Sequence, residues 1–322
     1  LIWAFGWRAA CVAALFWGTN LPANFSWIGG AFLRDGWLAC SVIGLCLLKL
    51  RRPLPAGFLL TTAALLRVFP VLLLVPLAWQ ALARMAQERR LVLSRELRLV
   101  LTGAGLALVI LVPLSLALGG GGPSAWAGFS RNIALHTEVP TINAVGLGML
   151  LSWNPEASLA RLEETAADPG RAWKDARKKR AAERGPLRAG VALALVALTL
   201  FAARREPAWC AAALGVGLIP VLLDPSSYYT GIFLAYGLLW TRRPAIGAAL
   251  CALSSFGWLA AEGAPDLERA FAWISAAMLA LVAFAALALA AGPRADEGAG
   301  GDDEPVESDA ASGRQRSATP FT

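Results

Sequence analysis

Long apolar stretches separated by pairs of arginines fill most of the chain and predict a bundle of membrane-spanning helices. Basic residues in short loops favour the cytoplasm, so the pairs at 51–52, 204–205 and 242–243 mark loops on that side. Working outward from these pairs gives about eight spans, near residues 9–21, 36–50, 97–118, 187–203, 208–223, 228–240, 245–261 and 270–291. Several are shorter than the roughly 20 residues that cross a bilayer, which suits helices half-buried among others.

One further apolar stretch, residues 53–83, contains a single charge, Arg67. A charge at bilayer depth costs about 2.5–3.5 kcal/mol, so it usually faces a cavity, a partner or a substrate. Basic residues flank the stretch on both sides, which places both ends in the cytoplasm, and one crossing helix cannot satisfy that. Pro70 and Pro76 follow the charge, where a helix would break or kink. We therefore expect a helical hairpin that turns at residues 66–70. The alternative is a kinked helix from which Arg67 snorkels to the surface.

The longest hydrophilic region, residues 119–186, lies on the outer face in this map, as a loop region with short helices. Its second half is rich in Lys and Arg around residues 174–180, which predicts a solvated helix that touches anionic lipid head groups. Residues 1–291 therefore form one transmembrane domain. The tail, 292–322, is poor in apolar residues, and we expect it to be disordered in the cytoplasm.

Composition supports an all-α, multi-pass integral membrane protein. Hydrophobic residues make up 57% of the 322 and charged residues 16%, and the mean hydropathy is +0.57. The loop arginines explain the net charge of +7, so membrane lipid is an expected partner and nucleic acid is not. The five cysteines lie in apolar segments without ligand spacing and there is one histidine, so no metal or other cofactor is indicated. The bias toward Ala, Leu, Gly and Arg is typical of a bacterial chain, which places it in the cytoplasmic membrane.

Polar and aromatic side chains gather in the first half of the outer region. Amides, carboxylates and aromatic faces offer directional hydrogen bonds and flat apolar surface, which hydroxyl-rich ligands such as sugars need. His136 is the only histidine, and a neutral imidazole is suited to proton exchange near pH 7. The alternative is that these residues belong to an ordinary surface loop. The candidate ligand-binding side chains in this segment are Asn132, His136, Glu138 and Asn143.

The hairpin and the outer loop resemble those of a known enzyme family. The hairpin consists of Arg51-Arg52, an apolar run, Leu66-Arg67-Val68-Phe69-Pro70, a second apolar run and a basic patch. This succession resembles the Lys-x-x-Pro hairpin of GT-C superfamily membrane glycosyltransferases that use polyprenyl-phosphate sugars, nearest to glycosyltransferase family 87, the alpha-mannosyltransferase-like group. That family's outer loop is similar to the segment that contains Trp126, Phe129, Asn132, His136 and residues 143–147. Tyr228-Tyr229 resembles an aromatic position at the outer end of a span. Arg67 stands where the family more often has Lys.

The resemblance implies transfer of a sugar, with mannose as one candidate, from polyprenyl phosphate to an acceptor hydroxyl at the outer face. Arg67 would bind the departing phosphate, because a guanidinium offers paired donors and stays charged when buried. In the family the carboxylate base lies in the first outer loop. Because residue 1 is Leu, we expect that loop, and the base with it, to precede this sequence. Asp35 and Glu138 are the candidate bases on the outer side of the sequence itself; the alternative is that each stabilises the structure or orients the substrate. We expect a cavity above Arg67 with Tyr228 and Tyr229 as an aromatic wall beside it, lined by Asn132, His136, Glu138 and Asn143.

Two other classes of function fit the same pattern. A transporter or flippase would bind an anionic or lipid-linked substrate at Arg67, where broken helices meet in the membrane. Such proteins often contain internal repeats, and none is evident in this sequence. A non-catalytic scaffold would instead use the outer loop to hold a partner. The sequence contains no Gly-rich phosphate loop and no Asp-x-Asp motif, which argues against a soluble enzyme that uses nucleotide sugars.

Overall fold

The computed structural model describes residues 1–23, 35–89, 93–119, 121–138 and 141–292, without the side chains of 133–138. This part of the chain is built from helices, with one isolated bridge and no strand, in agreement with the all-α prediction. Five of its helical segments are long and apolar enough to cross a membrane. They are Phe69–Glu88, Arg95–Leu118, Gly185–Ala203, Pro244–Gly263 and Leu267–Ala290. The tail predicted to be disordered lies outside the described residues from 293 onward.

The first half of the described chain is helical where the sequence predicts spans, although the first helix begins seven residues before the predicted start at residue 9. Its helices are α1 (Ile2–Thr19), α2 (Gly36–Lys49), α3 (Pro53–Leu66), α4 (Val75–Glu88) and α5 (Arg95–Leu118). A 3-10 helix, Phe69–Leu74, joins α3 to α4. Prolines stand in the first turns of α3 and α4, where the missing N–H costs no helical hydrogen bond. Ser94 begins α5 by accepting a hydrogen bond of 3.3 Å from the backbone N–H of Leu97.

The chain turns back between α3 and α4, so both ends of the hairpin lie at the same end of the bundle. Gln80 in α4 donates hydrogen bonds of 2.7 Å to the carbonyl oxygens of Ala203 and Glu206. Lys49, which ends α2 just before the hairpin, lies 5.0 Å from the centre of the Trp209 ring. Because these three partners are close in sequence, the hairpin begins and ends beside one short loop. We call this the inner end of the bundle, and the opposite end, which carries Arg67, the outer end.

Residues 119–186 contain more helix than the sequence predicts. The helices there are α6 (Gly122–Glu138), α7 (Leu147–Ser152), α8 (Leu159–Thr165) and α9 (Pro169–Glu183). The 17 residues of α6 form one helix because no proline lies between Pro123 and Pro140 to interrupt the hydrogen bonds of its backbone. Three of the polar residues expected on a loop, Asn132, His136 and Glu138, therefore lie on a helix, whereas Asn143 lies after it. The predicted basic helix is α9, whose start is capped by Asp168.

The second half of the chain contains long helices and a broken central segment. Its helices are α10 (Gly185–Ala203), α11 (Ala208–Gly215), α12 (Leu218–Leu222), α13 (Leu234–Leu238), α14 (Pro244–Gly263) and α15 (Leu267–Ala290). The predicted span 208–223 is interrupted by a turn at residues 216–217. The predicted span 228–240 is largely 3-10 helix, with Ser227–Phe233 before α13 and Leu239–Thr241 after it. These two segments are therefore not the continuous α-helices that hydropathy predicts.

The 3-10 geometry explains how such a short segment reaches across the bundle. Ten of its residues are in 3-10 helix, which rises about 2.0 Å per residue, and five are α-helical at about 1.5 Å. Laid end to end, these residues would extend about 28 Å, whereas the same number of α-helical residues would extend about 23 Å. Small residues let it pack tightly: a Cβ atom on Gly237 would lie 2.8 Å from Ala13 Cα in α1.

Candidate active site at the outer end

Arg67 lies at the turn of the hairpin, where the hydrogen bonds of α3 stop. Its backbone is extended, with φ −145° and ψ 132°, and its N–H donates the last bond of the helix to Ala63 at 2.9 Å. Pro70 follows at the start of the 3-10 helix, since it has no N–H with which to continue α3. The half-buried guanidinium lies 5.6 Å from the centre of the Tyr229 ring. The chain thus breaks at the charge, where the sequence predicts the turn.

Four aromatic side chains pack together beside Arg67. They are Trp37, Phe69, Tyr228 and Tyr229, and we call them the aromatic cluster. The ring centres are 4.9 Å apart for Trp37 and Phe69, 4.8 Å for Phe69 and Tyr229, and 4.3 Å for the two tyrosines. Trp37 and Phe69 are buried, whereas both tyrosines are half-buried. The tyrosines therefore form the accessible face of the cluster.

Asp35 comes directly before α2 and lies next to the hairpin turn. A Cβ atom on the following residue, Gly36, would be 4.0 Å from Leu66 Cδ1 at the end of α3. Burial raises the pKa of the Asp35 carboxyl above its usual value. No ion pair joins it to Arg67 in the described part of the chain. Trp37 is not predicted from the sequence as a site residue. Its position could have indicated it, because tryptophan is enriched where spans meet the membrane surface and Trp37 is two residues from Asp35.

Backbone hydrogen bonds attach the Asn143 segment to the residues just before the tyrosines. Ser227 N–H donates to the carbonyl oxygen of Asn143 at 2.7 Å, and Val145 N–H donates to that of Pro225 at 2.9 Å. These bonds form the isolated antiparallel bridge. Ser227 Oγ is buried without a hydrogen-bond partner among the described residues. The structure therefore brings Asn143, predicted from sequence, to the edge of the aromatic cluster.

Two glycines after Asn143 allow α7 to approach its neighbours. Gly146 has a φ of +126°, which favours glycine, and its N–H donates to Ser275 Oγ at 3.0 Å. A Cβ atom on Gly148 would overlap the Asp224 carboxylate, which accepts a hydrogen bond of 3.1 Å from the N–H of Met149. Both glycines are therefore required for the position of this segment.

The other predicted site residues belong to α6. Asn132 is exposed on the surface of that helix. The backbone of His136 and Glu138 is helical, and their side chains lie outside the described residues. The start of α6 is held at the end of α5 by a hydrogen bond of 3.1 Å from Trp126 Nε1 to Ser115 Oγ. The shared cavity predicted for these side chains and Arg67 therefore stays a prediction.

The residues at the outer end supply three kinds of chemistry. Arg67 is a cation with paired donors, Asp35 is a carboxyl with a raised pKa, and Tyr228 and Tyr229 present flat aromatic faces. No family model, curated protein or solved structure matches this chain. A function for the chain is therefore argued from the contacts within the site.

Proposed function

We propose that the protein is a membrane glycosyltransferase that moves a sugar from polyprenyl phosphate to an acceptor hydroxyl at the outer end of the bundle. The observation that carries this proposal is the position of Arg67. It lies at the break of a membrane hairpin, against Tyr229, with Asp35 beside the same turn. A charge at such a break usually serves a substrate or a cavity.

The donor lipid fits the surroundings of Arg67. The guanidinium can bind two phosphate oxygens at once, and it remains charged when it is partly buried. The apolar side chains of Leu66, Val68 and Val71, which flank the charge, are 51%, 51% and 43% exposed. They offer a surface on which a prenyl chain can lie without leaving the hydrocarbon phase. Phosphate and lipid chain can therefore bind at the same turn.

The reaction requires a base and a leaving group. The acceptor oxygen attacks C1 of the sugar, the bond from C1 to the phosphate oxygen breaks, and polyprenyl phosphate leaves with the electron pair. In our proposal Arg67 stabilises the charge that develops on that phosphate. Asp35 accepts the proton of the acceptor hydroxyl, and its raised pKa favours this step. The two tyrosines pack against the sugar ring.

A sugar-transfer assay on membranes tests the role of Arg67. We expect Arg67→Ala to reduce transfer from a polyprenyl-phosphate sugar by about 100-fold or more, the usual loss for one charge-stabilising group. Arg67→Lys should keep part of the activity, because the charge remains but the paired donors are lost. Arg205→Ala is the matched control, since Arg205 is exposed at the inner end. Full activity of Arg67→Leu, at equal expression, would reduce Arg67 to a structural residue.

A further inference from the structure

The basic helix α9 turns one face into the protein. The sequence predicts a solvated helix, and Lys174, Lys178 and Lys179 are indeed exposed. On the other face, Trp173 and Arg177 are only 3% and 1% exposed. A charge pattern alone does not show which basic residue points inward. Arg177 is thus a fully buried arginine on a helix outside the predicted spans, and the transfer reaction does not use it.

In the part of the chain that the structure describes, Arg177 donates hydrogen bonds to neutral groups only. Its Nη2 donates to Ser152 Oγ at 2.9 Å and to Met149 Sδ at 2.7 Å, and its Nε donates to Ser152 Oγ at 3.3 Å. The guanidinium lies 5.0 Å from the centre of the Trp173 ring. Its Nη1 is buried and has no acceptor among the described residues. Nε and Nη2 therefore hold the guanidinium in place, while Nη1 has no acceptor among these residues.

Four other buried nitrogens in this region also lack an acceptor in the described part of the chain. They are Trp153 Nε1, Trp173 Nε1, Arg180 Nε and Arg269 Nε. Trp173, Arg177 and Arg180 share one face of α9, because they are four and three residues apart. Trp153 follows the serine that binds Arg177, and Arg269 lies 5.8 Å from the Trp153 ring. Two ring contacts, Arg177 with Trp173 and Arg269 with Trp153, therefore lie on either side of Ser152, and Arg180 is one turn from Arg177 on α9. We call these five side chains the donor cluster.

The donor cluster contains three guanidinium groups and few carboxylates to balance them. Burial lowers the pKa of Arg177, and the charges of Glu268 and Asp224 act in the opposite direction. Both carboxylates already have other partners: Glu268 accepts a bond of 2.7 Å from Leu159 N–H, and Asp224 accepts one of 2.9 Å from Arg188. Buried donors and charges without partners are costly, so an added anionic acceptor would stabilise the cluster.

We propose that the donor cluster binds a phosphate group between α7, α9 and the first turn of α15. Arginine and tryptophan side chains only donate hydrogen bonds, so the complementary ligand offers acceptors and negative charge. A phosphate supplies several acceptor oxygens in the geometry that guanidinium groups bind in pairs. Water could satisfy the donors, but it would not neutralise the guanidinium charges. The phosphate belongs either to free inorganic phosphate or to a lipid head group at the membrane surface.

This site shares no residue with the candidate active site and does not depend on the proposed sugar transfer. The full chain, purified in a non-ionic detergent, is titrated with inorganic phosphate. A parallel titration with chloride at the same ionic strength is the control. A second titration uses short-chain phosphatidic acid, with short-chain diacylglycerol as the control that lacks a phosphate. The melting temperature reports binding, because a ligand of the folded state raises it with concentration.

Variants at the edge of the cluster keep the test independent of folding. Arg180→Gln and Arg269→Gln change half-buried side chains, and each should weaken phosphate binding about tenfold, the value of one hydrogen bond to a charged group. Lys178→Gln removes the same charge from the exposed face of α9 and should leave binding unchanged. Stabilisation by inorganic phosphate, or by phosphatidic acid alone, supports the site and identifies the source. No stabilisation by either probe, or equal stabilisation of wild type and both cluster variants, would overturn it.

Discussion

Gly148 is a position where one methyl group should matter. Its Cα faces the Asp224 carboxylate so closely that a Cβ atom would overlap it. We expect Gly148→Ala to displace that carboxylate from Met149 N–H and to lower the free energy of unfolding by about 1–3 kcal/mol, the usual cost of overpacking. The loss should appear as a lower melting temperature of the purified protein in detergent.

Two further variants test whether the contact between Gly148 and the Asp224 carboxylate is the cause of the loss. Gly128→Ala in α6 has nothing within 4 Å of the new methyl group, so it should be neutral or stabilising, as alanine favours helices. In an Asp224→Ala background, Gly148→Ala should lower the free energy of unfolding much less, because the carboxylate that the new methyl group would overlap is absent. An unchanged cost in that background would show that the methyl group disturbs something other than Asp224.

For single residues, the sequence predicts which side chains are unusual for a membrane segment better than it predicts which side chains they contact. The isolated charge of Arg67 and the paired tyrosines stand out in the sequence, and the structure places them in contact. Arg177 does not stand out, because it is one of several basic residues on a helix with no strongly apolar face. Its burial depends on Ser152 and Met149, which reach it from α7 through tertiary packing that no local pattern specifies.

The contact between α3 and α5 depends on two glycines. A Cβ atom on Gly57 would overlap the carbonyl oxygen of Val100, and one on Gly103 would overlap that of Leu54. Small residues at such crossings let helix backbones approach closely in a membrane. We expect Gly103→Ala to lower the free energy of unfolding by about 1–3 kcal/mol relative to Gly105→Ala. Gly105 is two residues away on α5, with open space around it.

Thermal unfolding followed by tryptophan fluorescence compares these two variants. Both gain the same helix propensity, so the difference between their melting temperatures reports the packing of α3 on α5. Because α3 carries the Arg67 turn, Gly103→Ala should also lower sugar transfer if the proposed site is correct. Equal melting temperatures would mean that the helices can separate slightly at no cost.

At the scale of elements, runs of apolar residues predict the long helices to within a few residues, as for α2 and α10. They fail for residues 208–241, which break into short helices. Hydropathy counts apolar residues, but it does not distinguish α-helix from 3-10 helix and does not show the close approaches that the chain makes at Gly217 and Gly237. Hydropathy also underestimates the helical length of α6, because its polar residues are typical of a loop although no proline interrupts the helix after its first turn.

Labelling in intact cells tests the orientation of the whole molecule. The sequence places Arg51, Arg89, Arg204 and Arg242 in the cytoplasm, and His136 and Lys178 outside. With the five native cysteines replaced, we expect Lys178→Cys to react with an impermeant maleimide in intact cells. Arg51→Cys and Arg205→Cys, which are also exposed, should react only after the membrane is opened. Protection of Lys178→Cys in intact cells would reverse this orientation.

Hydrogen bonds and one ion pair close the inner end of the bundle in this structure. Gln80 holds two carbonyl groups beyond the hairpin, and Nε and Nη2 of Arg242 both lie 3.0 Å from Glu206 Oε2 in a mostly buried pair. A movement that opened the bundle at this end would have to break these bonds, which would leave the mostly buried charges of Arg242 and Glu206 unpaired. While these bonds are formed, a substrate that enters at the outer end cannot pass through the inner end. It must leave from the end at which it entered, whether or not it has reacted.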